Sequence, residues 1–99
     1  MAPIHDAAEQ GNLEEVMRLI QEDPEIVDAT DEYGDTPLYY ASIESHVEVV
    51  SYLLEQGASI DIKGRDGITA LGVSCHNGHV PVVEILLSGE PILPVAAEE

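Results

Sequence analysis

The chain has 99 residues, in which twenty Asp and Glu face only three Lys and Arg, for a formal net charge of -17. A surface this acidic repels nucleic acid and anionic membranes, because binding phosphate requires Lys and Arg. The length makes one small domain, and with four Tyr, no Phe and no Trp its packing falls to Leu, Ile, Val and Ala. An apolar content of 44% excludes disorder throughout. No apolar run approaches the roughly 20 residues of a membrane span, and the start of the chain has no signal-peptide pattern. The single cysteine, Cys75, leaves no internal disulfide and points to a reducing, intracellular setting in cytoplasm or nucleus. The acidity reads first as solubility or salt adaptation, with steering of a basic partner as the alternative. It is concentrated early: residues 1–33 carry ten acids against one Arg.

The predicted elements form three similar units of helix, turn and helix. The first uses Ile4, Ala7 and Ala8 in one helix, then Leu13, Val16, Leu19 and Ile20 in a second, before the loop at Asp23 and Pro24. The second unit opens on turn residues Asp31 to Gly34. Thr36 and Pro37 then start a helix, as an N-cap followed by a proline in the first turn. That helix, over 38–44, is too short to stand alone in water. Its partner over 47–56 puts Val47, Val50, Leu53 and Leu54 on one stripe, and Gly57 ends it. The third unit writes the same phrase 33 residues later, with Gly67-Ile68-Thr69-Ala70-Leu71 answering Gly34-Asp35-Thr36-Pro37-Leu38. His79 to Val83 answers His46 to Val50, and Leu86 and Leu87 answer Leu53 and Leu54. A period this long means stacked supersecondary units.

The run from Asp31 through Gly34 and Thr36-Pro37-Leu38, the small pair Ala41-Ser42, His46 to Val50, and Leu53-Leu54 to Gly57-Ala58 together resemble the ankyrin repeat. The resemblance implies an all-α solenoid of about three helix-turn-helix units joined by β-turn fingers. Residues 1–92 form one domain, with units near 1–30, 31–63 and 64–92, and residues 93–99 form a tail. The departures carry information. The histidine that the family places after Thr-Pro-Leu is Tyr39 in unit two and Gly72 in unit three, and only His5 keeps it. Gly64 replaces the turn aspartate that Asp31 supplies, and Ser45 stands where the family favours Gly at positive φ. The resemblance also implies that His46 and His79 hydrogen-bond loop backbone and tie successive units together. Residues 92–97 are mostly apolar and small. Either they fold back over the third unit or the chain is a piece of a longer array, the second being favoured.

Catalytic and metal chemistry find no support. Cys75, His76 and His79 are three ligand types in a short run, but zinc wants about four, and the repeat scatters them: Cys75 aligns with Ser42 at a small buried site, and His76 with exposed Ile43. Cys75 has no nearby cation to activate it, and no glycine-rich phosphate loop is present. The expectation is a non-enzymatic module with no cofactor.

What remains is a surface. Repeat stacks bind along a concave face of turn tips and first-helix edges. Register places there Glu9 and Gln10 from unit one, and Glu32, Tyr33, Asp35, Tyr40, Ile43 and Glu44 from unit two, with Tyr39 at the margin. Unit three adds Arg65, Asp66, Ile68, Val73, His76 and Asn77. Tyr33 and Tyr40 offer large amphipathic contact area, while Tyr39 and Tyr40 are equally readable as packing against a neighbouring helix. The function expected is protein–protein interaction by a monomer with a partner of basic character, and no nucleic acid or membrane is expected. Inhibition of a partner enzyme, or service as the first repeats of a longer scaffold, are the alternatives.

Overall fold

The structure, a computed structural model, describes residues 3–88. The expectations for residues 92–97 and for the 93–99 tail lie outside these residues. Among the described residues there are six α-helices: α1 (Pro3–Gln10), α2 (Leu13–Glu22), α3 (Pro37–Ile43), α4 (Val47–Glu55), α5 (Ala70–Asn77) and α6 (Val80–Ser88). Short 3₁₀ turns at Pro24–Asp28 and Arg65–Gly67 complete the regular structure. The helices pair as three hairpins, α1 with α2, α3 with α4 and α5 with α6. Stacking places α1, α3 and α5 in one layer and α2, α4 and α6 in the other.

Among the described residues no helix exceeds ten residues, shorter than the roughly 12–15 that an isolated helix needs. Each therefore depends on its neighbours. Start signals act locally: Thr36 Oγ1 accepts the Tyr39 amide at 3.1 Å, and Thr69 Oγ1 accepts the Gly72 amide at 3.0 Å. Both first helices thus begin as the sequence predicts. The core is one continuous aliphatic cluster running through the stack, with Ile4, Ala8, Val16, Ile20, Leu38, Ala41, Val50, Leu53, Val82 and Leu86 among its members.

The turns between paired helices repeat one geometry. The amides of Asn12, His46 and His79 return to the carbonyls of Ala7, Ala41 and Ser74, which is a Schellman closure. The residue before each has positive φ: Gly11 at 73°, Ser45 at 60° and Gly78 at 72°. The fingers repeat as well, with Asp31 N–H bonded to Asp35 O and Gly64 N–H to Ile68 O.

Two expectations are corrected in unit three. Cys75 is exposed, whereas its counterpart Ser42 is fully buried. Val80 and Leu87 were expected on the buried stripe, yet they are 58% and 68% exposed; Leu86 is buried as expected, and Val82 and Ile85 join it in the core. Unit two is covered on both sides, by α1 and α5 and by α2 and α6, and its Val47 and Leu54 pack against the core. Among the described residues nothing covers unit three in the same way.

Candidate functional site: the finger and first-helix edge

Histidines at one repeating position bind the units together. His46 Nε2 donates to the Glu9 carbonyl at 2.8 Å, and His79 Nε2 donates to the Ile43 carbonyl at 2.8 Å. Each bond spans one unit boundary, the tie implied by the resemblance. At the first boundary the fit is close: a Cβ on Gly11 would lie 2.5 Å from His46 Nδ1.

The second boundary adds a polar clasp. Asp35, with 0% exposure, accepts the backbone amide of Arg65 at 2.8 Å and its Nε at 2.7 Å. The same guanidinium donates to the Tyr40 hydroxyl at 3.2 Å and lies 4.6 Å from the centre of the Tyr33 ring, a cation–π stack. Tyr40 in turn donates to Asp31 Oδ2, and its ring meets that of His5 edge-on at 5.7 Å. Burial pushes the Asp31 carboxyl up, but the Tyr40 hydroxyl, the amides of Asp35 and Tyr33 and the nearby His5 together hold it below the usual range. Burial, reinforced by the Asp31 carboxylate, pushes the Tyr40 phenol well above its ordinary value. The clasp also explains Gly64: a Cβ there would overlap Asp35 Oδ1, so the finger position that holds Asp31 in unit two must be bare in unit three.

These contacts sort the predicted surface residues. Asp35, Tyr39 and Tyr40 are corrected: Tyr39 and Tyr40 are each 5% exposed and offer a partner almost no area. Both sit in α3, between α1 and α5; Tyr40 is covered by His5 and Arg65, and Tyr39 by the Tyr40 ring edge-on at 6.1 Å. For these two tyrosines the packing alternative describes the structure. Tyr33 is 54% exposed, and Glu32, Arg65, Asp66 and Ile68 stand exposed on the fingers. At the helix ends, Gln10, Glu44 and Asn77 occupy one equivalent exposed row, and Glu9, Ile43 and His76 the adjacent row, in which Glu9 and Ile43 are half-buried.

Ile68, Val73 and His76 are brought together. With Gly67, Thr69 and Gly72 they line a groove of about 430 Å³. Thr69 and Gly72 were not among the predicted surface residues. The available signal was Gly72 itself, which removes a side chain where unit two carries Tyr39.

Among the described residues no group of three or more His, Cys, Asp and Glu is placed to hold a metal, and no helix is long and apolar enough to cross a membrane. The arrangement offers shape, acidic charge and a few apolar side chains.

Comparison with known proteins agrees with this architecture. A family model for ankyrin repeats in three copies matches residues 1–64, and one for the single ankyrin repeat matches residues 66–95. The chain is 38% identical over 82 residues to a probable E3 ubiquitin-protein ligase, XBOS32, of Oryza sativa subsp. japonica, covering 82% of this chain and 16% of that protein. It is 33% identical over 85 residues to the ankyrin repeat protein nuc-2 of Neurospora crassa, covering 86% of this chain and 8% of that protein. Thus the chain spans a small fraction of the length of these relatives. A chain from the solved complex of the predatory endopeptidase Bd0816 of Bdellovibrio bacteriovorus with immunity protein Bd3460 superposes with a TM-score of 0.84 at 32% identity. That match covers 93% of this chain and 48% of the other. The chain belongs to the ankyrin repeat family.

Proposed function

We propose that this chain is a non-enzymatic module that binds a protein partner through its finger tips and first-helix edge. The observation that carries the reading is the contrast between the two kinds of position. Scaffold contacts recur from unit to unit, as with the His46 and His79 bonds and the Thr36 and Thr69 caps. The exposed edge changes at every unit, from Gln10 to Glu44 to Asn77, and the row beside it from half-buried Glu9 to half-buried Ile43 to exposed His76. Tyr33 is the anchor within this surface, half exposed and held in place by the Arg65 guanidinium. Glu32, Glu44 and Asp66 are exposed acids on the same fingers and helix edge, which favours a partner of basic character.

Enzyme inhibition is the second reading, and a specific observation favours it. The similar solved chain comes from a complex between a peptidase and an immunity protein. A bound partner that loses its activity, rather than only its freedom to diffuse, would distinguish this mode.

The test uses an affinity-purified partner and titration calorimetry or surface resonance. Tyr33→Ala is expected to weaken binding by more than about 1 kcal/mol, as hot-spot residues do. Glu32→Gln with Glu44→Gln is expected mainly to slow association and flatten its salt dependence. A partner indifferent to all three changes binds elsewhere, and the reading fails.

A further inference from the structure

Tyr33 stands on the second finger and Arg65 on the third, and neither has a counterpart of its kind in the other unit. Asp66 occupies in unit three the place that Tyr33 holds in unit two, and Glu32 occupies in unit two the place of Arg65. Their pairing is therefore particular to this chain and is not a contact the repeat requires. Arg65 is firmly held before it reaches the ring. Its backbone amide and Nε donate to Asp35 at 2.8 and 2.7 Å, and Nη2 donates to the Tyr40 hydroxyl at 3.2 Å. Bonds at Nε and at one terminal nitrogen fix the plane of the guanidinium, because its donors form a rigid fork. The side chain of Asp35 has no exposure at all, so the base of the fork cannot shift without uncovering a buried charge.

That fixed plane bears on a side chain that the turn alone leaves loose. The backbone of Tyr33 is set by Asp31, whose Oδ1 accepts the Tyr33 amide at 2.9 Å and whose carbonyl accepts the Gly34 amide at 2.9 Å. The ring stands 54% exposed at the turn, and the guanidinium lies 4.6 Å from its centre. A tyrosine at a turn tip without such a neighbour exchanges between rotamers, and ordering it on contact subtracts from affinity. With Arg65 stacked on it, the ring is ordered before a partner arrives. Backbone and ring are both tied to one clasp, since Asp31 Oδ2 accepts the same Tyr40 hydroxyl to which Arg65 donates.

We propose that Arg65 is a positioning residue for the partner-binding surface: it acts through Tyr33, presetting the ring, and so makes the second and third fingers one recognition unit. The proposal rests on the protein-binding reading above and adds how the anchor of that surface is prepared. Arg65 contributes by what it does to Tyr33 in the free chain, and its effect on a partner is passed on by the ring.

Arg65→Lys separates positioning from folding, because lysine keeps a cation for buried Asp35 but lacks the planar fork that stacks on the ring. The full chain is labelled with carbon-13 tyrosine, and the Tyr33 signal is assigned by its loss in Tyr33→Phe. In Arg65→Lys the Tyr33 ring should loosen by carbon relaxation while Tyr52 on α4 keeps its order, and a thermal melt checks the fold. Should that variant melt the stack, the double variant Asp35→Asn with Arg65→Gln, which removes the buried charge together with its partner, is read in the same way. Binding is measured with synthetic peptides selected from a displayed random library against the parent chain, keeping those weakened by Tyr33→Ala. Arg65→Lys should weaken them roughly twofold to tenfold, the size of ordering one side chain. It should have no further effect in the Tyr33→Ala background, the signature of one residue acting through another. Three results overturn the proposal and leave the Tyr33 surface standing: equal losses in both backgrounds, no loss in either, or a Tyr33 ring as ordered in the variant as in the parent. If no peptide depends on Tyr33, the binding reading itself fails and the proposal fails with it.

Discussion

Ser45 holds φ at 60° in a turn whose counterparts are Gly11 and Gly78. The surrounding hydrogen bonds are the same at all three turns, so the backbone conformation is imposed by the Schellman closure and the residue must accept it. For a side chain bearing Cβ this left-handed conformation costs on the order of 1 kcal/mol. Ser45→Gly removes the strain, offset in part by the greater freedom of Gly in the unfolded chain. The expected outcome is a melting temperature raised by a few degrees, given roughly 4–8 °C per kcal/mol for a domain of this size. An unchanged or lower melting temperature in differential scanning calorimetry would mean that the serine side chain compensates through contacts of its own. This strain was legible through the resemblance, because the family favours Gly at positive φ where Ser45 stands.

At the scale of elements, the clasp between unit two and the third finger is held by Tyr40, Asp31, Asp35 and Arg65. Tyr40→Phe deletes the hydroxyl and leaves Asp31 Oδ2 without that donor, a loss of about 1–2 kcal/mol at neutral pH. The pH dependence has a definite sign. Because burial and Asp31 raise the folded phenol, tyrosine ionises in the unfolded chain near pH 10 while the folded hydroxyl stays protonated. This contribution is fully present below pH 10 and is lost as pH rises toward the folded value. Denaturant unfolding of the parent should weaken steeply above pH 10, and Tyr40→Phe should flatten that slope. Burial also raises Tyr39, so part of the slope should remain. Equal slopes in the two proteins would contradict the geometry. The helices of unit two were legible: expected over 38–44 and 47–56, they span Pro37–Ile43 and Val47–Glu55. The clasp was not, because register along one unit marks Tyr40 as an outer edge while its burial is set by His5 and Arg65, which are 35 residues before it and 25 after it. Cys75 and Leu87 erred in the opposite direction for the same reason. Their counterparts in unit two owe their cover to the neighbouring unit, which local pattern cannot register.

Across the whole molecule, repeated positions hold the stack together, and unrepeated ones make up the surface we propose binds a partner. Ile20, Val50, Leu53, Leu86 and the two inter-unit histidines form a scaffold that any three-unit stack of this kind needs. Tyr33, Glu44, Ile68, Val73 and His76 lie outside it, exposed or partly so, and carry what is particular to this chain. Asp35, Tyr39 and Tyr40 are buried and offer that surface little area, while Gly72 opens a groove on unit three. The acid concentrated in unit one includes exposed Glu14 and also Glu15, the latter paired to Arg18 at 2.6 Å, both on a second helix. The most direct test is hydrogen exchange on the purified complex with its partner, read peptide by peptide against the free chain. The account predicts new protection over residues 32–34, 43–45 and 65–76, with α2, α4 and α6 unchanged. Protection confined to the second helices, with the fingers and α5 exchanging as in the free chain, would contradict it.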